Sequence, residues 1–161
     1  EIRKNLNLDK LADTVEYTVT AGGERCAVAT YNMIGFPGET EAEVENTMAF
    51  NCSLPHHIAD VAIATPQEGT AMFDIACDHG YVPPALRRTN YVGMQEWSAS
   101  EYIPPANLQA LRSRFHRMFY DPLRRRRLSA LAASDGPRSQ QRFLGAFVRG
   151  YMSQSLSTEE A

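Results

Sequence analysis

The chain has 161 residues, of which 43% are hydrophobic and 22% charged, and its formal net charge is −3. This composition is that of a folded globular protein and excludes disordered, collagen-like and fibrous chains. The slight acidity argues against nucleic acid as a partner, because phosphate backbones are bound by clustered positive charge. No apolar run approaches the roughly 20 residues that span a bilayer, so membrane association is not expected.

The three cysteines, Cys26, Cys52 and Cys77, are widely spaced and form no CxxC or CxxxCxxC motif. We expect small, buried thiols in a reducing compartment, rather than a metal site. Residues 1–4 lead into a helical pattern instead of an apolar leader segment, which also favours a cytoplasmic protein.

Helices and strands alternate in the first half of the chain, according to the spacing of apolar residues and the turn signals. Thr40 and Glu43 form a capping box that starts one of these helices. The predicted elements are a helix over 8–21, a strand over 26–34, a helix over 40–53, a strand over 58–65 and a short helix over 70–78. Both strands read as buried on both faces, and the connection between them suits a parallel βαβ unit. Two parallel strands alone leave edges unpaired, which indicates that further strands belong to the fold.

The second half of the chain is predicted to be helical after an extended connection over 81–104, with a short hairpin around 89–97. An apolar stripe over Leu108, Leu111, Phe115 and 118–119 (Met-Phe) predicts a helix from Pro105. The remaining predictions are a helix begun by Asp121 and Pro122, a break over 134–137, a third helix over 143–152 and a frayed tail over 153–161. The expected divisions are 1–80, 81–104, 105–152 and 153–161.

The most informative motif is the turn over 35–39, Gly-Phe-Pro-Gly-Glu, between a predicted buried strand and a capped helix. Gly35 and Gly38 lack a Cβ, so a flat ligand or a backbone can approach closely, and Pro37 stiffens the turn. Glu39, with two more acids in the next helix, disfavours a phosphate at this helix start. The turn alone is equally well explained as a tight strand–helix connection without a ligand.

The stretch Met33-Ile34-Gly35-Phe36-Pro37-Gly38-Glu39-Thr40 resembles the turn after the fifth strand in the radical S-adenosylmethionine superfamily. Ala64-Thr65-Pro66, followed by Gly69-Thr70, is similar to the end of that family's sixth strand. Phe119-Tyr120-Asp121-Pro122 resembles the Phe-Tyr-x-x-Pro element of its cobalamin-binding members, with one residue fewer before the proline. These members are relatives of the anaerobic magnesium-protoporphyrin ester cyclase.

The resemblance implies an α/β fold, namely the C-terminal portion of a partial (β/α)6 TIM-like barrel followed by an α-helical extension. It also implies radical C–H functionalisation, such as methylation, cyclisation or rearrangement, of a small-molecule substrate. The cofactors implied are S-adenosylmethionine and a 4Fe-4S cluster, with cobalamin in the cobalamin-binding branch. The residues expected to contact the adenosyl part of S-adenosylmethionine are Ile34, Gly35, Phe36, Pro37, Gly38, Glu39, Ala64, Thr65 and Pro66. Ile34 and Phe36 suit an adenine better than a phosphate.

The chain departs from the family pattern because it has no CxxxCxxC loop and no cobalamin-binding domain. The resemblance therefore implies a missing N-terminal barrel half as partner, and this chain alone is expected to be inactive. Gln67-Glu68 replaces the residues usual between Thr-Pro and Gly-Thr, which affects the substrate side of the site. A rival interpretation is a small non-catalytic α/β module that binds a partner through its basic helical tail.

Three other features are interpreted mainly as structural. His56-His57 suits a surface or capping role better than a metal site. The run of four arginines over 124–127 is interpreted as a solvated helix face. The alternative is that it binds an anionic partner, either a membrane surface or an acidic domain. Trp97 is a candidate for lining a substrate mouth.

Overall fold

The computed structural model describes residues 6–81, 100–133, 141, 142 and 144–146. Within these residues the chain is an α/β structure in which helices predominate and two strands form a parallel sheet. The elements are α1 (Leu8–Gly22), β1 (Ala29–Ile34), α2 (Glu41–Ser53), β2 (Ile58–Ile63), α3 (Ala71–Asp78), α4 (Pro105–Phe119) and α5 (Pro122–Ala133). The predicted order of helices and strands is therefore confirmed, with both strands shorter than expected.

Side-chain caps explain where α2 and α5 begin. The Thr40 hydroxyl accepts a hydrogen bond from the Glu43 amide at 3.3 Å, and the Glu43 carboxylate accepts one from the Thr40 amide at 2.8 Å. The hydrogen bonds that the Thr40 amide and the Thr40 hydroxyl donate to the Glu43 carboxylate lower the pKa of Glu43, because they favour its charged form. Asp121 likewise accepts from the Arg124 amide at 2.8 Å. The predicted capping box and the predicted N-cap are both confirmed.

The two strands pair in parallel, with Ala29 opposite Ile58 and Ile34 opposite Ile63. The face of β1 that carries Ile34 packs against the core, whereas the opposite face is open among the described residues. On that open face Tyr31 is 83% exposed and Met33 is 44% exposed. The prediction that β1 is buried on both faces is therefore wrong for the described part of the chain, because no described element covers its second face.

One main core joins the sheet to the C-terminal helices. Helix α4 packs on both α2 and β2. The predicted apolar stripe of α4 is confirmed for the four members that are buried, but it is wrong for Met118, which is 44% exposed. The largest fully buried side chains of this core include Ile34, Met48, Leu108, Phe115, Phe119 and Leu128. Removing a buried Phe of this kind typically costs about 3–5 kcal/mol, so α4 is a main source of the stability of the strands.

Tyr120 satisfies backbone groups on the outer edge of β2. Its hydroxyl donates to the Ala59 carbonyl at 3.1 Å and accepts from the Ala59 amide at 3.2 Å. Tyr120 itself is only 2% exposed, so the side chain takes the place of a neighbouring strand at this point.

Several sequence predictions fall outside the described residues. They are the hairpin over 89–97, Trp97, most of the third helix over 143–152 and the tail over 153–161. Residues 141, 142 and 144–146 are helical, and Leu144 is buried in the main core. No helix within the described ranges is long and apolar enough to cross a bilayer.

Candidate functional site

The structure brings the two segments predicted to contact a cofactor together at the carboxyl end of the sheet. The Ala64 amide donates to the Ile34 carbonyl at 2.7 Å, directly after the last paired residues of the two strands. The turn over 35–39 and the segment over 64–66 therefore leave the sheet side by side. In α/β folds with parallel strands, ligands are bound at this end of the sheet.

The two glycines of the turn have different surroundings. Both have positive φ angles, +83° at Gly35 and +80° at Gly38. A Cβ on Gly35 would lie 2.8 Å from Leu108 Cδ1, whereas a Cβ on Gly38 would meet nothing within 4 Å. Gly35 thus makes room for a side chain of α4, and only Gly38 leaves an open approach to the turn.

Glu39 uses the amide groups that the turn would offer to an anion. Its carboxylate accepts hydrogen bonds from the amides of Gly35 and Phe36, the latter at 3.0 Å. Burial raises the pKa of Glu39, and the two amide hydrogen bonds oppose that rise. The Ser100 hydroxyl donates to the Glu39 carbonyl at 2.5 Å and holds the turn against the segment before α4. A protein carboxylate already fills this nest of amides, in agreement with the prediction that the turn is a poor phosphate cradle.

The accessible surface of the site is smaller than the sequence suggested. Ile34 is fully buried in the core, so its side chain cannot stack on an adenine, and that part of the prediction is wrong. Ala64 and Pro66 are also buried. The side chains that are at least partly exposed are those of Phe36, Pro37, Glu39 and Thr65, beside the open backbone of Gly38. Apart from the Glu39 carboxylate, which is already hydrogen-bonded, this surface suits a flat, uncharged ring better than a phosphate.

The described residues supply no metal centre. No group of three or more His, Cys, Asp or Glu side chains within the described ranges is arranged to hold a metal ion. Cys26, Cys52 and Cys77 are free thiols of intermediate exposure. Burial raises the pKa of Cys52, which disfavours the thiolate that a metal would need. An iron–sulfur cluster therefore does not fit the donor set of the described part of the chain.

A partly buried polar network beside the sheet was not foreseen from the sequence. The Thr30 hydroxyl donates to Asn51 Oδ1 at 3.0 Å and accepts from Asn32 Nδ2 at 3.1 Å. Asn51 Nδ2 in turn donates to Asn32 Oδ1 at 2.8 Å. His56 Nε2 lies 2.9 Å from the Thr30 hydroxyl. Because the proton of that hydroxyl is donated to Asn51, these contacts assign the proton of His56 to Nε2.

His56 is therefore part of the core rather than a surface residue. It is 1% exposed, its ring lies 4.7 Å from that of Phe119, and its Nδ1 has no hydrogen-bond partner. Burial, with smaller contributions from Arg124 and His57, lowers the pKa of His56 to about 4. The prediction of a surface or capping role is wrong for His56, whose ring fills a space between β1 and α4. It suits His57, whose Nδ1 accepts from the Val28 amide at 3.1 Å.

We expect the free energy of unfolding to fall as the pH drops from 6.5 towards 4. In this window the unfolded chain takes up a proton on His56, because the ordinary pKa of a histidine is 6.5, while the folded chain, with a pKa of about 4, does not. The stability from neutral His56 is complete above pH 6.5 and is lost on acidification, by at most about 1.4 kcal/mol per pH unit. His116, whose pKa burial and Arg112 also lower to about 4, acts in the same direction.

Urea unfolding at about pH 7, 6 and 5 checks this expectation. His56→Gln keeps a donor towards Thr30 but cannot titrate. The slope of its unfolding free energy against pH should therefore correspond to about one proton fewer taken up on unfolding than in the parent chain. An unchanged slope in His56→Gln would contradict the buried, neutral imidazole.

The arginine run is only partly a solvated face. Arg124 donates from Nη2 to the Leu54 carbonyl at 2.8 Å and to the Cys52 carbonyl at 3.3 Å. Its guanidinium also lies 3.8 Å from the centre of the Phe119 ring. Arg125 donates from Nε to the Tyr120 carbonyl at 2.6 Å. The prediction is therefore wrong for Arg124 and Arg125, which bind carbonyls at the C-terminal ends of α2 and α4. It suits the exposed pair over 126–127.

Comparisons with protein-family models, curated proteins and solved structures found no significant match to this chain. The functional assignment therefore rests on the motif in the sequence and on the geometry at the carboxyl end of the sheet.

Proposed function

We propose that this chain provides the adenosyl-side wall of an S-adenosylmethionine site in a radical enzyme. In this proposal β1 and β2 are the last two strands of a partial (β/α)6 barrel, and α4 and α5 belong to the helical extension that follows it. The whole protein would carry out radical C–H functionalisation, such as methylation, cyclisation or rearrangement. The reaction and its substrate are set by parts of the protein outside this chain.

The observation that carries the proposal is the hydrogen bond between the Ala64 amide and the Ile34 carbonyl, 2.7 Å long. It joins two motifs that lie about 30 residues apart in the sequence and that resemble neighbouring contacts to one cofactor. The joined segments lie at the carboxyl end of parallel strands, where barrel folds bind their ligands. Phe36 and Thr65 are partly exposed there and can contact a flat ring and its ribose.

The open side of the sheet supports a larger barrel. Within the described ranges β1 pairs only with β2, and the face of β1 that carries Tyr31 and Met33 is exposed. Parallel strands are normally covered on both faces and continued by neighbours. An N-terminal barrel half would pair with the free edge of β1 and enclose this face.

The iron–sulfur cluster and any cobalamin would have to be held by that other part of the protein. The described residues do not form the cysteine set that a cluster needs. When bound, the cluster would supply the electron that cleaves S-adenosylmethionine. The residues of this chain would only position the adenosyl group, through Phe36, the open backbone of Gly38 and Thr65.

Binding of S-adenosylmethionine and of 5′-deoxyadenosine to this chain tests the proposal. In ¹H–¹⁵N spectra both compounds should shift the amides of Phe36, Gly38 and Thr65, with weak affinity, on the order of 1 mM, because the rest of the site is absent. Phe36→Ala should abolish these shifts. Tyr17→Ala, at a residue of α1 that is 75% exposed, should leave them unchanged. Equal shifts with methionine alone, or shifts elsewhere in the sheet, would contradict an adenosyl site here.

The coding region upstream of residue 1 provides a second test. An in-frame CxxxCxxC about 100–150 residues earlier, as barrel spacing requires, would supply the missing cluster ligands. A start codon directly before the codon for Glu1 would exclude the radical enzyme and favour the non-catalytic module that binds a partner.

A further inference from the structure

A cleft of about 450 Å³ lies at the opposite end of the sheet from the candidate cofactor site. It is formed by α1, the end of α2 and the start of α5, and its lining includes Glu16, Thr20, Cys52, Arg124 and Arg127. The cleft adjoins the segment that enters β2, so about 17 Å of strand separates it from the turn over 35–39. It takes no part in the proposed function.

The described residues offset the positive charge in this cleft only in part, because Glu16 lines it and Asp121 favours the charged form of Arg124, but neither forms an ion pair with an arginine there. The only ion pair within the described ranges joins Arg114 to Glu45, on α4 and α2. Arg124 is partly buried and uses Nη2 for two carbonyls, but its Nη1 is buried without a hydrogen-bond partner. Its guanidinium lies over the Phe119 ring, so Arg124 is a partly buried positive charge without an ion pair among the described residues, and a nearby anion would stabilise it.

Arg127 adds a second guanidinium beside the first. The two residues are three positions apart on α5, so their side chains emerge on the same side of the helix, and Arg127 is exposed. Both lower the pKa of His57, after burial as the main cause, so their positive potential reaches the neighbouring strand entrance. Among the described residues, Glu16 is the one acidic side chain that lines the cleft, opposite two arginines.

We propose that this cleft binds a phosphate group, either free or as a phosphate monoester. Arg127 would donate to the phosphate oxygens and the Thr20 hydroxyl offers a second donor from α1, while the partly buried guanidinium of Arg124 adds positive charge beside them. A phosphate dianion carries more negative charge and more acceptor oxygens than a carboxylate, so it suits a cleft with two guanidinium groups better. This site is distinct from the turn over 35–39, where Glu39 occupies the amides.

Titration of the 161-residue chain with inorganic phosphate at constant ionic strength tests the proposal. We expect saturable shifts of the Arg124 and Arg127 side-chain signals and of the Leu54 amide. The pKa of His57 should rise, because a bound anion offsets the repulsion from the two arginines. Arg127→Gln should weaken binding about tenfold, the loss expected for one charge-assisted hydrogen bond. It leaves the contacts of Arg124 with the Leu54 carbonyl intact, so it should remain folded.

Arg126→Gln is the matched control, because this residue neighbours Arg127 on α5 but does not line the cleft. It should bind phosphate like the parent chain. Glycerol phosphate should compete with inorganic phosphate for the same signals. The proposal would be overturned by equal shifts in chloride or by unchanged affinity in Arg127→Gln. Binding only to vesicles of phosphatidylglycerol would also overturn it, because it would show attraction to an anionic surface without a phosphate site.

Discussion

Replacing Gly35 with Ala should be strongly destabilising, by about 3 kcal/mol in the free energy of unfolding. The added methyl group costs about 1–2 kcal/mol because φ is positive, and overpacking adds a further contribution of about 1–3 kcal/mol. The overpacking arises because the new Cβ would lie 2.8 Å from Leu108 Cδ1. Leu108 is 0% exposed, so it has little space into which to move. Chemical denaturation of the two chains measures this difference.

Gly38→Ala is the matched control for this prediction. Its φ of +80° is close to that of Gly35, but a Cβ there meets nothing within 4 Å. It should lose only about 1 kcal/mol, so the difference between the variants isolates the contact with Leu108. Combining Gly35→Ala with Leu108→Ala should be less destabilising than the sum of the single changes. Equal losses at the two glycines would show that α4 does not press on the turn.

Tyr120→Phe should also be strongly destabilising, by about 2–4 kcal/mol. The change removes only a hydroxyl group, but that hydroxyl bonds both the amide and the carbonyl of Ala59. Ala59 is 0% exposed, so neither of its backbone groups gains water in exchange. An unpaired buried polar group costs about 1–3 kcal/mol, and here two are left. Amide hydrogen exchange at Ala59 should accelerate in proportion to the loss of stability. This exchange rate is a local measurement that complements global unfolding.

Tyr17→Phe removes the same group from a side chain that is 75% exposed and should change stability by less than about 0.5 kcal/mol. If Tyr120→Phe behaved like this control, another group would have to form the hydrogen bonds to the amide and carbonyl of Ala59.

These two predictions concern the same property of the molecule, namely that the C-terminal helices complete the strands. Leu108 fills the space beside Gly35, Ser100 holds the Glu39 carbonyl, and Tyr120 pairs with Ala59. The helical extension is therefore packed directly against the turn that we propose for the cofactor. A substitution in α4 could change binding at that turn without contacting the ligand.

The local elements could be predicted from the sequence because their signals are local. The capping box of Thr40 and Glu43, the N-cap at Asp121 and the apolar stripe of α4 depend on residues three or four positions apart. The parallel arrangement also followed, because a helix of this length between two strands permits no short hairpin. The adjacency of the two motifs at the carboxyl end of the strands was predictable for the same reason.

Long-range packing, by contrast, determines which groups remain free for a ligand. Ile34 and His56 are both close to polar or turn residues in the sequence, yet both are enclosed by α4. Arg124 stands in a run of four arginines, but it alone reaches the end of α2 and the ring of Phe119. Apart from the contact between Arg124 and Phe119, such outcomes depend on residues that lie far apart in the sequence, such as Arg124 and Leu54, and no local pattern encodes them. Local patterns thus specify the elements, their order and the candidate turn. The packing of α4, by contrast, places Leu108 against Gly35 and leaves Gly38 and Phe36 facing outward.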